Sequence, residues 1–151
     1  MKELKIEPIK NGTVIDHITP TMSLKVLDML NVDLTNSSVS LALNVPSGKN
    51  GKKDILKIEN MELREEDVNR IALIAPRATV NLVRDGDIVQ KFKVELPDVI
   101  KGIVRCMNPS CISNVEREPV ERSFIVINKK NPALKCAYCG REMEDILPYM
   151  L

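Results

Sequence analysis

The chain lacks tryptophan and has only two phenylalanines and two tyrosines among its 151 residues. Its hydrophobic cores must therefore be aliphatic. The chain also lacks an excess of one charge, since its formal net charge is +1, and this argues against a broad nucleic-acid-binding surface. No apolar run is long enough to cross a bilayer, and the charged start Met1–Ile6 has no apolar signal segment. We therefore expect a soluble, cytoplasmic protein without a membrane or nucleic-acid partner.

Cysteine is scarce as well, but its four copies are informative because they form two close pairs in the last third of the chain. Cys106 and Cys111 make one pair, and Cys136 and Cys139 make the other. Two such pairs are typical of a tetrahedral Cys₄ zinc site. Four cysteine ligands leave no open coordination position, so we expect one structural zinc ion rather than a catalytic one.

Two other uses of the cysteines remain open from the sequence alone. Two disulfides would need an oxidising compartment, and the chain shows no signal peptide. A redox-active Cys136-x-x-Cys139 motif would leave the first pair unexplained. Zinc accounts for all four cysteines. A stabilising metal is also expected because residues 98–151 are too few to bury a self-sufficient core.

The first 97 residues alternate between strand-like and helix-like patterns. Val39–Val45 alternates apolar and polar residues, as in a half-buried strand, whereas the apolar residues of Glu62–Ala75 recur at helical spacing. Pro20 fits the start of an earlier helix, with Thr19 or Thr21 as its cap. In all we predict helices over 20–31 and 62–75, and strands over 4–9, 13–18, 39–45, 53–58, 78–83 and 88–94.

This order, β-α-β-β-α-β with an additional edge strand, predicts an α+β fold. The first domain is expected to be a ferredoxin-like α/β sandwich, with one antiparallel sheet and two helices on one of its faces. Leu96–Asp98 is the expected boundary between a domain of residues 1–97 and a zinc domain of residues 98–151. In the second domain, strands over Ile103–Val104 and Ser123–Asn128 predict a small zinc-ribbon-like β domain.

Lysines on one predicted strand share a face of the sheet. Lys53, Ile55 and Lys57 have the same parity along their strand, so their side chains project to the same side. Asn81 and Lys91 extend from other strands of the first domain. Cations that converge on one side of a sheet can hold an anion. Lysines alternating on a strand are, however, more often a solvated face than a binding site.

Several segments of the chain resemble the regulatory chain of aspartate carbamoyltransferase, in order over essentially the whole length. They are Gly12–Ile18, Leu43–Gly48, Lys53–Asn60, Ala75–Asn81 and the four spaced cysteines. The resemblance implies a non-catalytic allosteric subunit of pyrimidine biosynthesis that binds CTP, ATP and UTP. It also implies that the first domain pairs with a second regulatory chain as a dimer, and that the zinc domain docks on the catalytic chain.

The resemblance further implies where the phosphates and ribose of an effector nucleotide lie. It places Lys57 and Lys91 at the phosphates and ribose, with Lys53 nearby. Asp16 falls on the ribose or base side, and His17, the chain's one histidine, falls beside the phosphates. These five residues therefore form the expected polar part of the nucleotide site.

The base is expected at the other end of the same site. The resemblance places Ile9 and Asn81 around the base, and backbone groups near Ile9 and Val83 at the edge of the base. The chain departs from the family pattern at Gly86, where a bulkier residue is common, and at Gln90, where a small residue is common. These departures predict a looser base pocket.

Two other function classes compete with a regulatory subunit. A nucleic-acid-binding zinc ribbon would normally show a basic surface or exposed aromatics near the cysteine pairs, where only Tyr138 is available. A thiol-redox or zinc enzyme would need a catalytic constellation, but no nucleophile or second acid stands beside Asp16 and His17 in the sequence. We therefore predict that the chain is not an enzyme.

Overall fold

The computed structural model describes residues 10–48, 51–115, 117 and 120–151. The predicted strand over 4–9, with Ile9 at its end, lies outside the described residues. Within the described part of the chain, no helix is both long and apolar enough to span a bilayer.

The first part of the chain forms a five-stranded antiparallel sheet with two helices. Its strands are β1 (Gly12–Ile18), β2 (Val39–Ser47), β3 (Gly51–Glu59), β4 (Thr79–Arg84) and β5 (Asp87–Lys93). Its helices are α1 (Ser23–Met29) and α2 (Glu65–Ile74). The strand order is β2-β3-β1-β4-β5, and every neighbouring pair is antiparallel. This order confirms the ferredoxin-like sandwich with β5 as the additional edge strand.

The core lies on the helix side of this sheet, as the alternation along β3 shows most clearly. On β3, Leu56 and Ile58 are fully buried, whereas the alternate residues Ile55 and Lys57 are only half-buried. Ile15 of β1 is also fully buried in the same cluster, together with residues of both helices. The pleat thus separates an aliphatic face under α1 and α2 from a mixed, lysine-bearing face on the other side.

The start of the first helix differs from the prediction. Helix α1 begins at Ser23 rather than Pro20, and neither predicted threonine caps it through its side chain. The backbone N–H of Met22 donates to the carbonyl of Thr19 at 3.0 Å, and Thr21 has a φ of 70°. This tight turn interrupts the helical conformation, so the helix can begin only after it.

A buried carboxylate replaces the missing cap. Asp54 of β3 is fully buried, and its Oδ2 accepts a hydrogen bond from Ser23 N at 3.0 Å. Its Oδ1 accepts one from Asn44 N at 2.7 Å, where β2 has a bulge. Burial alone would raise the pKa of Asp54, but backbone hydrogen bonds from Asn44, Thr21 and Ser23 outweigh it and lower the pKa. One side chain therefore fixes the start of α1 and the bulge of β2.

The second part of the chain forms a four-stranded antiparallel sheet. The strands are β6 (Val99–Lys101), β7 (Ser123–Asn128), β8 (Ala133–Cys136) and β9 (Glu142–Met143), paired in that order. Short 3₁₀ helices occupy Ile112–Asn114 and Leu147–Tyr149. Cys136 ends β8 and the other three cysteines lie in the loops around the sheet, so this small β domain with its clustered cysteines confirms the zinc-ribbon-like class.

The predicted strand over Ile103–Val104 is wrong. The strand at this place ends at Lys101, because Gly102 adopts a φ of 76°, which turns the backbone out of the ladder. Val104 then makes a single bridge to Met150, near the end of the chain. Both Ile103 and Val104 are buried, so their apolar character reflects core packing rather than strand pairing.

One polar contact connects the two parts of the structure. Arg70 of α2 donates from Nε to the carbonyl of Leu151 at 3.2 Å, and its Nη1 lies 3.6 Å from Oδ1 of Asp67. Within the second part, Lys129 Nζ lies 2.9 Å from Oδ1 of Asp98. Leu96, beside the expected boundary, is buried in a hydrophobic cluster that contains residues of both parts. The division at residues 97 and 98 stays a prediction.

Replacing Asp54 by asparagine keeps the shape of the side chain but converts one acceptor into a donor. One of the two backbone N–H groups, of Ser23 or Asn44, then loses its partner. We expect the free energy of unfolding at pH 7 to fall by about 2 kcal/mol. Urea and thermal unfolding followed by circular dichroism measure this change.

The difference in unfolding free energy between Asp54→Asn and the parent chain should depend on pH. The folded-state pKa of Asp54 lies below its ordinary value of 3.8, so ionised Asp54 stabilises the fold fully above that value. The contribution is lost as the pH falls through the lower folded-state pKa, and the gap between Asp54→Asn and the parent chain should narrow there. Asp28→Asn, at an exposed position of α1, is the control and should change little. Equal stability of Asp54→Asn and the parent at pH 7 would contradict the role given to Asp54.

Candidate functional site

The four cysteines come together in one cluster. Their Sγ atoms all lie within 4.8 Å of one another. The Sγ atoms of Cys106 and Cys139 are 3.6 Å apart, as are those of Cys111 and Cys136. In a tetrahedral site with zinc–sulfur bonds of about 2.3 Å, neighbouring sulfurs are about 3.8 Å apart. The observed Sγ–Sγ distances are close to this value. The cysteines are not disulfide-bonded, and their arrangement fits one tetrahedral zinc ion.

Local hydrogen bonds shape each cysteine pair. In the first pair, Asn114 donates from Nδ2 to the carbonyls of Cys106 and Asn108, at 2.9 and 2.8 Å. In the second pair, the Gly140 N–H donates to the carbonyl of Cys136 at 3.0 Å, with Gly140 at a φ of 76°. These hydrogen bonds shape the two turns, and each turn directs two sulfurs inward.

Electrostatics explains why the cluster needs a cation. Burial raises the pKa of the Cys106 thiol to about 12. At the exposed Cys139, a hydrogen bond from the Arg141 backbone lowers the pKa to about 7. Four thiolates cannot share this space without a compensating charge, and a bound zinc ion would supply it while the thiols release their protons. Such a site is structural because all four ligands come from the protein.

A second feature lies on the sheet face opposite the helices. One cross-strand row crosses four strands, and in the order β3, β1, β4 and β5 it consists of Lys57, Val14, Asn81 and Lys91. Neighbouring strands are about 4.8 Å apart, so the backbones at the two lysines are separated by about 14 Å. Both side chains are long enough to lean over the residues between them. The row therefore places two cations at opposite sides of a shallow floor.

This row forms the floor of a groove of about 390 Å³, which we call the sheet groove. It is lined by Val14, Asp16, Lys57, Asn81, Val83, Gly86, Ile88 and Lys91. The structure thus brings together five of the eight predicted nucleotide-site residues. Val14 and Ile88 were not predicted, although Val14 has the same parity as Asp16 on β1 and could have been inferred from it.

Two predicted residues lie outside the lining of the sheet groove. Lys53 is at its border, where Nζ lies 3.0 Å from Oδ1 and 3.2 Å from Oδ2 of Asp16. His17 sits at a bulge of β1 with a φ of 57°, and its Nδ1 is 3.0 Å from the hydroxyl of Thr79. Both residues line a neighbouring cavity that also includes Arg77. The eighth predicted residue, Ile9, falls outside the described part of the chain.

The ion pair of Asp16 and Lys53 controls the charge at this border. Burial would raise the pKa of Asp16, but the hydrogen bonds from Lys53 and from the His17 backbone outweigh it and lower the pKa. Asp16 therefore stays ionised and neutralises Lys53. Lys57 and Lys91 have no carboxylate within 4.0 Å among the described residues. These two lysines keep their charge available for an anionic ligand.

The two departures from the family pattern lie in different places. Gly86 lines the sheet groove, and a Cβ added to it would meet nothing within 4 Å. It follows Asp85 in a hairpin turn where both residues have positive φ, at 52° and 83°. Gln90 pairs with Leu82, and by alternation it projects from the face opposite Lys91. Only Gly86 can therefore widen the groove.

The chain is similar to known proteins over nearly its whole length. A family model described as the allosteric domain of the aspartate carbamoyltransferase regulatory chain matches residues 4–95. A second model, described as the metal binding domain of the same regulatory chain, matches residues 98–146. The aspartate carbamoyltransferase regulatory chain of Methanothrix thermoacetophila is 52% identical, with 99% of this chain and 98% of that protein covered. The protein of the same name from Pyrococcus abyssi is 54% identical, and the match covers 96% of this chain and 95% of that protein. The protein of the same name from Archaeoglobus fulgidus is 49% identical, and the match covers 99% of each chain.

Removal of one cysteine tests the metal centre. Cys111 is buried, and its Sγ also lies 3.1 Å from the hydroxyl of Ser113. We expect Cys111→Ser to lose the zinc ion and to expose the amides of residues 98–151 to hydrogen exchange, because zinc binding and folding are coupled in so small a domain. Zinc content by atomic absorption and exchange by mass spectrometry measure the two effects.

Ser110→Ala is the matched control, because Ser110 is exposed and adjacent but carries no sulfur. It should keep one zinc ion per chain and the exchange pattern of the parent. Full zinc retention by Cys111→Ser would show that this cysteine is not a ligand.

Proposed function

The chain belongs to the family of aspartate carbamoyltransferase regulatory chains, and we propose that its sheet groove binds the nucleoside triphosphates CTP, ATP and UTP. As a member of this family it is a non-catalytic subunit with an allosteric domain and a zinc-binding domain, and its partner is the catalytic chain. The effector nucleotides, the pairing with a second regulatory chain and the cytoplasmic location belong to the proposal.

The convergence of Lys57 and Lys91 on one groove supports nucleotide binding most directly. A triphosphate carries several negative charges, and ammonium groups form charge-assisted hydrogen bonds with its oxygens. Asn81 lies between the two lysines in the row and offers amide donor and acceptor groups for a ribose or a base. Val14 and Ile88 add an apolar surface against which a base can pack. The groove therefore combines the charge, polarity and apolar contact that a nucleotide needs.

The exposed apolar residues near strand β2 support a dimer of regulatory chains. Within the described sheet β2 is an edge strand, and its Leu43 is 48% exposed. Leu24 of α1 and Leu34 of the following loop are 56% and 64% exposed. An edge strand without a partner in the described sheet and exposed apolar side chains both favour pairing with another chain. We propose that the second regulatory chain covers this region.

The nucleic-acid-binding alternative is not favoured. Tyr138, the aromatic residue near the cysteine pairs, donates its hydroxyl hydrogen bond to the carbonyl of Glu121 at 2.5 Å, which fixes the ring. The formal net charge of +1 offers no general attraction for a phosphate backbone.

Regulation requires that nucleotide binding in residues 1–97 alters the placement of residues 98–151, which dock on the catalytic chain. The hydrogen bond from Arg70 of α2 to Leu151 joins the two domains, so it is a contact that can differ between two arrangements. An effector then shifts the catalytic chains between two quaternary states only if it binds one state better than the other. CTP and ATP can act in opposite directions by preferring different states.

Lys57→Ala should weaken binding of all three triphosphates. The substitution removes one charge-assisted contact to the phosphates, which are common to the three nucleotides, so we expect a loss of about 1.5–3 kcal/mol in binding free energy. Calorimetric titration of CTP and ATP into the zinc-loaded chain measures this change, and the Lys57→Ala, Lys91→Ala double variant should abolish measurable binding.

Lys101→Ala is the control, since Lys101 is an exposed lysine on β6, outside the sheet groove. It removes the same charge but should leave both affinities unchanged. If Lys57→Ala binds CTP and ATP as tightly as the parent chain, the sheet groove is not the effector site.

The proposed division of the chain at residues 97 and 98 is tested with Cys111→Ser. We expect this variant to lose its association with the catalytic chain in gel filtration, because the docking domain no longer folds. Its calorimetric affinity for CTP should remain close to that of the parent chain. Simultaneous loss of CTP binding would contradict two separately stable domains.

A further inference from the structure

A second cationic site lies where the two parts of the chain meet. A cleft of about 670 Å³, which we call the junction cleft, opens between the turn after α2, the end of β5 and the turn between β7 and β8. Its polar lining consists of Arg77, Lys93, Glu95, Lys129, Lys130 and Asn131. The cleft has the volume of a typical small-molecule site, and it shares no lining residue with the sheet groove.

The positive charge of the junction cleft is only partly compensated. A hydrogen bond to Asp98 raises the pKa of Lys129, and the charge of Glu95 adds to this effect, so these two carboxylates act on the same lysine. Arg77, Lys93 and Lys130 have no ion-pair partner within 4.0 Å in the part of the chain that the structure describes. Three cations from three separate segments therefore face one cleft without a matching anion.

Backbone hydrogen bonds fix the segments that carry these cations. Asn128 Oδ1 accepts from the N–H groups of both Lys130 and Asn131 at 3.0 Å, which closes the turn between β7 and β8. On the opposite wall, the Ala78 N–H donates to Ala75, and the Val94 N–H donates to Ala78, each at 3.0 Å. These bonds tie the turn carrying Arg77 to the end of β5. Only the side chains need to be ordered when an anion binds, which lowers the entropic cost of binding.

We propose that the junction cleft binds a small molecule with at least two linked phosphoryl groups. A single phosphate is too small to contact both walls of a cleft of this volume, whereas linked phosphoryl groups can reach Arg77 and Lys93 on one wall and Lys130 on the other. The guanidinium of Arg77 offers the planar, two-pronged donor geometry that phosphoryl oxygens accept. Asn131 adds a neutral donor at the same edge of the cleft.

Such a ligand would connect the two domains directly. Arg77 and Lys93 belong to the first part of the chain, and Lys130 belongs to the zinc-binding part. An anion held by all three would favour the arrangement seen here, because it contacts both walls only while they are close together. The junction cleft is thus a candidate control point in addition to the sheet groove, and Arg77, Lys130 and Asn131 also line the neighbouring cavity that contains His17 and Lys53.

Tripolyphosphate is the probe, titrated by calorimetry into the zinc-loaded full chain at low ionic strength. The titration uses a Lys57→Gln, Lys91→Gln background, which removes the two lysine charges of the sheet groove. We expect saturable binding at one site per chain, weakened at least tenfold by adding Arg77→Gln and Lys130→Gln. Lys10→Gln and Lys101→Gln, which remove the same charge at other exposed positions, should change the affinity less than twofold. Orthophosphate should bind at least tenfold more weakly than tripolyphosphate.

Three results would overturn the proposal. Absence of saturable binding in the Lys57→Gln, Lys91→Gln background would place all phosphate binding in the sheet groove. If Arg77→Gln with Lys130→Gln and Lys10→Gln with Lys101→Gln weakened tripolyphosphate binding equally, the binding would reflect general charge attraction rather than a site. Unchanged tripolyphosphate affinity in Arg77→Gln, Lys130→Gln, combined with weaker assembly with the catalytic chain, would identify the cleft cations as a protein-docking surface. Zinc content and melting temperature, measured before and after titration, confirm that each variant is folded and keeps its metal.

Discussion

The alternation of side chains along β3 constrains both the core and the sheet groove. Leu56 and Ile58 complete the aliphatic core beneath the helices, so the residues between and beside them must face the opposite side of the sheet. Lys57 is one of these, and the register then places it in the same row as Asn81 and Lys91. A slip of one residue in this strand would bury lysines and expose the core. Correct folding of the core and assembly of the groove are therefore one event.

Polar groups stabilise parts of the structure that aliphatic packing alone does not hold. In the first domain, Asp54 satisfies backbone donors at the start of α1 and at the bulge of β2, which aliphatic side chains cannot do. In the second domain, four cysteine sulfurs within 4.8 Å of one another mark the metal that holds two turns together. Between the domains, the Nε of Arg70 donates a hydrogen bond to the carbonyl of Leu151.

Much of the architecture follows from local patterns in the sequence. The alternation in Val39–Val45 and the helical spacing in Glu62–Ala75 predict β2 and α2, although α2 begins at Glu65, and the cysteine spacing identifies the metal cluster. The errors arose where local signals conflict with tertiary contacts. Pro20 is a favourable first residue of a helix, yet the turn stabilised through Asp54 delays the helix to Ser23. The burial of Asp54 cannot be predicted from its neighbours in the sequence, because it depends on the distant backbone groups that it binds.

Residue identity and spacing are enough to predict the family, the zinc ligands and the strand parity that puts Lys53 and Lys57 on one face. The three-dimensional fold, in contrast, sets which charges remain available. It paired Lys53 with Asp16 and Lys129 with Asp98, while Lys57 and Lys91 received no carboxylate among the described residues. It also brought Arg77 and Lys130, far apart in the chain, to the two walls of one cleft. Ion pairing and cleft formation depend on distances between segments, and those distances are set by packing rather than by local sequence.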